Sequence, residues 1–193
     1  MDFNSILQQR RSIKPPQMLS DRDIPDSILQ AMLEAANTAP THGLTQPWHF
    51  TIFQKQTRQS LADILTSIYQ ETTPAAEVNP EKLQKLEKNA LSAPLVLAIL
   101  AKCIPNGKIP LWEEIAATSC AVQNLMLKAT EQGVASFWAS PPASTSPLFA
   151  KALGYPETEF IPLGLLFLGY PDPNQKLPTA PKRAPISTRC KYF

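Results

Sequence analysis

Two adjacent arginines, Arg10 and Arg11, are followed by Ser12 and Lys14 near the amino end of the chain. Two guanidinium groups can hold a phosphate bidentately, and a neighbouring hydroxyl group adds a further donor. If the chain is extended after Ser12, the Lys14 side chain lies on the same side as that of Ser12. The segment would then bind a phosphate and, several ångströms away, a second electron-rich group. The simpler alternative is that the arginines complement the dipole of a helix C-terminus and remain in water.

Two further segments combine polar side chains with a tryptophan. Residues 39–48 read Ala-Pro-Thr-His-Gly-Leu-Thr-Gln-Pro-Trp, a loop by its proline and glycine content, in which His42 and Gln46 can donate hydrogen bonds to a ligand. A plain connecting loop with a structural tryptophan is the alternative. Residues 137–141 read Phe-Trp-Ala-Ser-Pro, and Trp138 is either a core residue or part of a pocket wall.

The composition argues against several classes of protein. The chain has 193 residues, a formal charge of +2 and 44% hydrophobic residues, which predicts one folded domain over 1–193. The small net charge argues against general nucleic-acid binding, and no apolar run is long enough to span a membrane. With six glycines, two histidines and no G-x-G-x-x-G or H-E-x-x-H motif, neither a glycine-loop dinucleotide site nor a metal site is expected. Three widely spaced cysteines are typical of free thiols in a reducing compartment, which predicts a cytoplasmic protein.

Predicted helices and strands alternate along the chain. Strands are predicted at 50–53, 95–101, 134–138 and 160–169, and the second is apolar enough to be covered on both faces. Six helices are predicted around them, including the longest at 112–132, on which we expect Cys120 to be a small buried residue. This pattern is that of an α/β or α+β layered domain, and the order of elements alone leaves the topology open.

Taken together, these segments resemble the FMN-dependent nitroreductase family, in particular its short bacterial branch. The resemblance covers essentially the whole chain in order, and it implies an α+β fold, a three-layer α/β/α sandwich of the nitroreductase type. It also implies an intertwined homodimer with two FMN sites at the subunit interface. The matching segments are Arg10-Arg11-Ser12, the loop at 39–48, Ala-Lys-Cys at 101–103, Lys-Ile-Pro-x-Trp-Glu at 108–113, Ala-Thr-Glu-Gln-Gly at 129–133 and Trp-Ala-Ser at 138–140.

The same resemblance implies which residues bind the cofactors. The flavin phosphate and ribityl region would be bound by Arg10, Arg11 and Ser12, and Lys14 would lie near flavin N1 and O2. Further cofactor-binding residues, some from the partner subunit, would be Thr38, His42, Gln46, Trp138, Ala139 and Ser140. The segment that resembles an NAD(P)H-binding region consists of Lys128, Ala129, Thr130, Glu131, Gln132 and Gly133.

The activity implied is hydride transfer from NADH or NADPH, through FMN, to a nitroaromatic, quinone or similar small-molecule acceptor. Lys14 would act electrostatically, by stabilising negative charge at N1 and O2 of the reduced flavin. Two alternatives stay open: an ene-reductase or dehalogenase on the same scaffold, and an FMN-binding storage or sensor protein with little turnover.

Two residues depart from the family pattern. Thr38 and Ala139 stand at positions where similar sequences often carry arginine. Two missing cations near an anionic cofactor would weaken FMN binding by about 1–2 kcal/mol each if those charges were partly desolvated. The basic tail, with Lys182, Arg183 and Arg189, offers replacement charges.

Overall fold

The chain folds into one four-stranded sheet with helices on both faces. A computed structural model describes residues 2–105 and 107–193. Within them the strands are β1 (Trp48–Gln54), β2 (Leu95–Lys102), β3 (Ala135–Ala139) and β4 (Phe160–Gly169). The α-helices are α1 (Phe3–Gln9), α2 (Asp26–Ala36), α3 (Thr57–Thr72), α4 (Pro80–Ser92), α5 (Leu111–Glu131), α6 (Pro142–Thr145) and α7 (Pro147–Ala152).

The four strands form an entirely antiparallel sheet in the order β1-β2-β4-β3. The central strand β2 is buried along nearly its whole length, as predicted from its apolar sequence. Alternate residues of β2 enter two different cores: Val96, Ala98 and Leu100 face one, and Leu95, Leu97 and Ile99 face the other. This alternation requires a cover on each face of the sheet.

The two covers are helical layers, and together with the sheet they confirm the three-layer architecture. One core contains α3 residues such as Leu61 and Leu65 together with Phe149 of α7. The other contains Met32 of α2 and Leu125 of α5. Each such side chain contributes roughly 1.5–3 kcal/mol when fully buried, which is why the layers stay together.

Several predicted element boundaries are set by local chemistry. The Asp2 carboxylate accepts a hydrogen bond from the backbone of Ser5 and begins α1, and Asn79 does the same for α4 with Pro80 in its first turn. Strand β3 extends one residue beyond the predicted strand, and the short helix α6 was not predicted. The expectation for Cys120 is wrong, because its position on α5 faces solvent.

Within residues 2–105 and 107–193, no helix combines the length and apolar character needed to cross a bilayer. Over the same residues, no group of three or more histidine, cysteine or acidic side chains is arranged to hold a metal ion.

Candidate functional site

The segment from Arg10 to Lys14 lies along the outer edge of β3. The Ile13 amide donates to the Ser136 carbonyl oxygen at 3.0 Å, and Ser12 pairs with Ser136 in a parallel bridge. Ile13 is buried, whereas Ser12 and Lys14 on either side of it are exposed. The predicted extended conformation is confirmed for Ile13 and Lys14, with Ser12 and Lys14 on the same side of the backbone, whereas Pro15–Gln17 form a short 3-10 helix instead. We call Arg10, Arg11, Ser12 and Lys14 the amino-terminal group.

The cations of this group have no ionic partner within the described residues. Neither Arg10, Arg11 nor Lys14 has a carboxylate oxygen within 4.0 Å, and Arg11 donates only to the neighbouring Arg10 carbonyl oxygen, at 2.8 Å. Beside them, the hydroxyl group of Ser136 is buried and has no hydrogen-bond partner in the part of the chain that the structure describes. The three cations are thus donors that an anionic ligand can use, whereas the Ser136 hydroxyl lies inside the protein, on the same face of β3 as Trp138.

The end of β3 presents two faces with different roles. Phe137 and Ala139 belong to the core beneath α3, whereas Trp138 points to the opposite core, where its indole nitrogen donates to the Leu163 carbonyl oxygen at 2.9 Å. The predicted pocket wall is therefore formed by Ala139 and Ser140, and the Trp138 side chain has a structural contact instead. Gly164 of β4 allows this arrangement, since a Cβ atom there would lie 2.3 Å from the Ala139 carbonyl oxygen.

A groove of about 860 Å³ opens between α3, α4 and the end of β3. Its floor is apolar, with Phe137, Leu165 and Phe167 from the sheet. Pro15, next to Lys14, lies at one side of the groove, so that the groove adjoins the amino-terminal group. The remaining wall residues used below are Tyr69 of α3 and Lys82 and Lys85 of α4. A groove of this size and character suits a flat, largely apolar ligand.

The loop that carries Thr38, His42 and Gln46, which we call the loop group, lies elsewhere. His42 Nδ1 is 2.6 Å from the Glu113 carboxylate at the start of α5. Thr38 donates to the Ala35 carbonyl oxygen at 2.8 Å and accepts from the Asn124 amide at 3.2 Å. The side chains of Thr38 and His42 thus have partners on other elements of the chain, whereas the cations of the amino-terminal group have no ionic partner within the described residues.

Additional contacts hold the backbone of the loop group. The Thr45 hydroxyl donates to the buried Glu114 carboxylate at 2.7 Å, and the backbone amide of Gln46 donates to the Thr41 hydroxyl at 3.2 Å. Leu44 and Gln46 both have positive φ angles, 56° and 48°, which non-glycine residues adopt only when their surroundings impose it. The loop is therefore held in one conformation by its contacts with α5.

The two groups lie at diagonally opposite corners of the sheet. The strand register aligns Ser136 of β3 with Gln54 at the end of β1. The loop group lies at the other end of β1, because the indole nitrogen of Trp48, six residues before Gln54, donates to Asn37 beside Thr38. Six residues of a strand span about 20 Å along the strand direction. Four steps between neighbouring chain segments lead from the amino-terminal segment through β3, β4 and β2 to β1, and they add about 19 Å across the sheet. Because the packed body of the sheet lies between the groups, they cannot meet around one ring system in a single chain.

The predicted NAD(P)H segment forms the C-terminal end of α5 and the turn after it. Lys128 forms an ion pair with Glu131, and the hydrogen bond from Lys128 lowers the pKa of the Glu131 carboxyl. Ala129 is fully buried, and Gly133 ends the helical turn with φ of 72°. None of the predicted residues 128–133 lies in the wall of the groove.

The carboxyl-terminal tail is fixed only where it begins. The Asp172 amide donates to the Gln17 carbonyl oxygen at 2.9 Å, and the Gln17 side-chain amide donates to the Lys176 carbonyl oxygen at 2.8 Å. All residues from 173 onward are exposed, including Lys182, Arg183 and Arg189.

Fold and sequence together place the chain in a family. Residues 7–170 match the nitroreductase family model, and the chain belongs to the nitroreductase family, which makes it an oxidoreductase. It is 32% identical over 171 residues, 89% of each chain, to the Escherichia coli K12 protein named Putative NAD(P)H nitroreductase YdjA.

Solved structures show the same fold. A nitroreductase-like protein from Bacillus cereus matches with a TM-score of 0.85 at 24% identity, over 100% of this chain and 96% of that one. A Bacteroides fragilis nitroreductase with bound FMN matches with a TM-score of 0.71 at 22% identity, over 95% of this chain and 96% of that one.

Proposed function

We propose that this chain is an FMN-dependent oxidoreductase that acts as a homodimer and passes hydride from NAD(P)H to a nitroaromatic, quinone or similar acceptor. The observation that carries the proposal is the amino-terminal group: three cations without ionic partners within the described residues, beside an apolar groove. The curated relative named as an NAD(P)H nitroreductase and the solved relative with bound FMN support the same cofactors.

The residues present fit FMN in charge and in shape. Arg10 and Arg11 would bind the phosphate, because paired guanidinium groups match its oxygen atoms. Ser12, which is exposed, supplies a neutral donor beside them for the ribityl chain. The groove next to Pro15, Ala139 and Ser140 has the apolar floor that a flavin ring requires.

Lys14 has an electrostatic role in this proposal. Bound FMN supplies the chemistry of hydride transfer between the nicotinamide and the acceptor. Lys14 is exposed and, among the described residues, has no ion pair, so that its ammonium group can hold positive charge beside N1 and O2 of the ring. Positive charge fixed there in advance stabilises the negative charge that develops on reduction. The protein needs no dedicated acid or base for this role.

The distance between the two groups supports a dimer. Thr38, His42 and Gln46 are too far from Arg10 to line the same site in one chain, but a second copy can bring its own loop group to that corner. Large apolar side chains around the loop group are exposed and available for such contact: Leu44, Ile104, Leu111 and Trp112.

The finer assignments stay predictions. The site lacks the cations expected at Thr38 and Ala139, and the exposed tail offers Lys182, Arg183 and Arg189 as replacements. Binding of NAD(P)H by residues 128–133 and a cytoplasmic location are likewise proposed from the sequence. Binding at 128–133 would require a ligand to approach the α5 end from outside the groove.

The direct experiment is spectroscopic. Purified protein reconstituted with FMN is expected to show a bound-flavin spectrum that bleaches on anaerobic addition of NADH or NADPH and recovers with a nitroaromatic or quinone. Flavin that binds but never bleaches would support the storage or sensor alternative. Recovery only with an activated alkene or a halogenated aromatic compound would support the alternative enzymes, and colourless protein would contradict the proposal.

A complementation experiment tests the shared site. The Arg10→Ala/Arg11→Ala variant and the His42→Ala variant each damage one half of every site and are expected to bind FMN weakly. After co-refolding, mixed dimers contain one intact and one doubly damaged site, and therefore recover FMN binding and activity. A mixture that stays as weak as its components would contradict a site built from two chains.

A further inference from the structure

The helix α4 carries two lysines into the wall of the groove. Lys82, Lys85 and Asn89 all line the groove, because positions three and four residues apart share one face of a helix. Within the described chain, Lys82 and Lys85 are the only charged side chains in that wall, and no aspartate or glutamate lines it. Neither lysine forms an ion pair among residues 2–105 and 107–193.

The lysine-bearing helix is held at both ends. At its start, the Asn79 side chain caps α4, and the backbone amide of Asn79 donates to the Tyr69 hydroxyl of α3 at 3.1 Å. At its end, Arg58 of α3 donates to the Leu91 and Ala93 carbonyl oxygens, at 2.9 and 2.7 Å. These contacts fix the backbone from which the two ammonium groups extend over the groove.

Among the described residues that line the groove, an apolar floor is thus combined with positive charge from α4 alone. The floor of Phe137, Leu165 and Phe167 favours the flat flavin ring, whereas the lysines favour an anionic substituent, at the α4 side, on an acceptor that stacks on that ring. A neutral acceptor would gain nothing from the lysines, and a cationic one would be repelled by them. The charge pattern thus selects among acceptors of similar shape.

We propose that Lys82 and Lys85 make this enzyme selective for aromatic electron acceptors that carry an acidic group, such as a carboxylate. The acidic group lies toward α4, and the acceptor ring would stack on the flavin ring, which would itself cover the apolar floor beside Ala139 and Ser140. This inference rests on the proposed flavin oxidoreductase function, because it assigns the acceptor that the same groove receives. Lys82 and Lys85 are specificity-determining residues in this proposal and take no part in hydride transfer.

The test compares two acceptors of nearly equal shape, 4-nitrobenzoate and its neutral amide, 4-nitrobenzamide. For the FMN-loaded protein, kcat/KM is expected to be on the order of tenfold higher for the carboxylate, as two exposed ion pairs together supply about that factor. The Lys82→Gln/Lys85→Gln variant should bring the ratio of the two values close to one, chiefly by lowering kcat/KM for the carboxylate. Raising the salt concentration should lower the ratio in the original protein.

The matched control is Lys88→Gln, which removes an exposed lysine of the same helix that does not line the groove. It should leave the ratio of the two acceptors unchanged. An equal preference for the two acceptors in the original protein, or an unchanged ratio in the double variant, would overturn the proposal. Loss of FMN affinity in the double variant would also overturn it, since the lysines would then serve the flavin phosphate.

A binding measurement separates this inference from the proposed function. Benzoate, which cannot accept electrons here, is titrated into the protein by calorimetry, with benzamide as the neutral control. Benzoate should bind more tightly than benzamide on the order of tenfold, and only with Lys82 and Lys85 present. If FMN fails to bind but benzoate binding depends on the lysines, the proposed function fails and the anion site stands. If FMN binding and nitroaromatic reduction are normal but benzoate and benzamide bind equally, only the proposed anion selectivity fails.

Discussion

The amino-terminal group and the loop group are the two polar regions of the proposed site, and they differ in how their side chains are satisfied. Arg10, Arg11 and Lys14 have no ionic partner within the described residues, whereas His42 and Thr45 bond to two consecutive carboxylates of α5, Glu113 and Glu114. The loop group is thus organised by its own chain. The amino-terminal group is organised only in its backbone, by the edge of β3, and its cations remain available for a ligand.

This difference indicates which side chains stabilise the fold and which are available to stabilise a bound ligand. Side chains with internal partners stabilise the fold, and the removal of Thr45 would leave the buried Glu114 carboxylate without that partner. Side chains without internal partners contribute to the fold mainly through their backbone, so their removal should affect the ligand. The predictions below test this separation, from the largest expected effect to the smallest.

The largest effect is expected at Gly164, which allows β4 to approach the end of β3 at Ala139 and Ser140, beside the groove. Gly164→Ala places a Cβ atom 2.3 Å from the Ala139 carbonyl oxygen at a φ of 109°. Overpacking and backbone strain together should lower the free energy of unfolding by about 3 kcal/mol, and the displaced Ala139–Ser140 backbone should weaken FMN binding. Urea denaturation and flavin titration measure the two effects.

The control for Gly164 is Gly154→Ala. Gly154 also has a positive φ, 82°, but a Cβ atom there has no neighbour within 4 Å. The Gly154→Ala variant should lower the free energy of unfolding by about 1 kcal/mol through backbone strain alone and leave FMN binding intact. Similar losses of stability in both variants would show that the close approach of β3 and β4 is unimportant.

An intermediate effect is expected from removing one hydroxyl group in each region. Thr45→Val removes the donor to Glu114, whose side chain is only 6% exposed, and should lower the free energy of unfolding by about 2 kcal/mol. Ser12→Ala removes an exposed hydroxyl group and should change stability by less than about 0.5 kcal/mol while weakening FMN binding. Denaturation curves and flavin titrations of both variants, side by side, check the contrast. Equal stability losses would contradict the proposed division between the two regions.

The backbone of the amino-terminal group could be predicted from the sequence, whereas the partners of the loop group could not. Pro15 disfavours helical geometry in the residue before it, so that the extended conformation of Lys14 follows from local sterics alone, although Pro15–Gln17 form a short 3-10 helix. The pairing of His42 with Glu113 joins residues 71 positions apart, and such a contact exists only once α5 packs beside the loop. No local pattern in the sequence marks it.

The same dependence on tertiary packing explains why neither the structural role of Trp138 nor the position of two lysines at the groove could be predicted. The alternation of β3 predicts that Phe137 and Trp138 face opposite sides, but which side becomes the groove depends on where α3 and α4 pack. In the sequence, nothing distinguishes Lys82 and Lys85 from the other charged residues of α4. Their position becomes meaningful only because α4 lies over the groove with that face toward it.

The smallest effect is expected in thiol reactivity and concerns the interior beside the loop group. Burial, together with the nearby Glu114 carboxylate, raises the pKa of the Cys103 thiol to about 11, so that little reactive thiolate is present at pH 8. Cys120 and Cys190 are exposed. Mild treatment with iodoacetamide at pH 8 should therefore modify Cys120 and Cys190 and spare Cys103, as read by peptide mass spectrometry.

The Thr45→Val variant links this measurement to the comparison of the two regions. If the contact between Thr45 and Glu114 holds the loop over this part of the core, its loss should let the region open more often and increase the labelling of Cys103 severalfold. Ser12→Ala, which alters the opposite corner of the sheet, should leave Cys103 as protected as before. Protection that is equal in both variants would mean that Cys103 is shielded by the core alone, and that the loop group is less tightly coupled to α5 than its hydrogen bonds indicate.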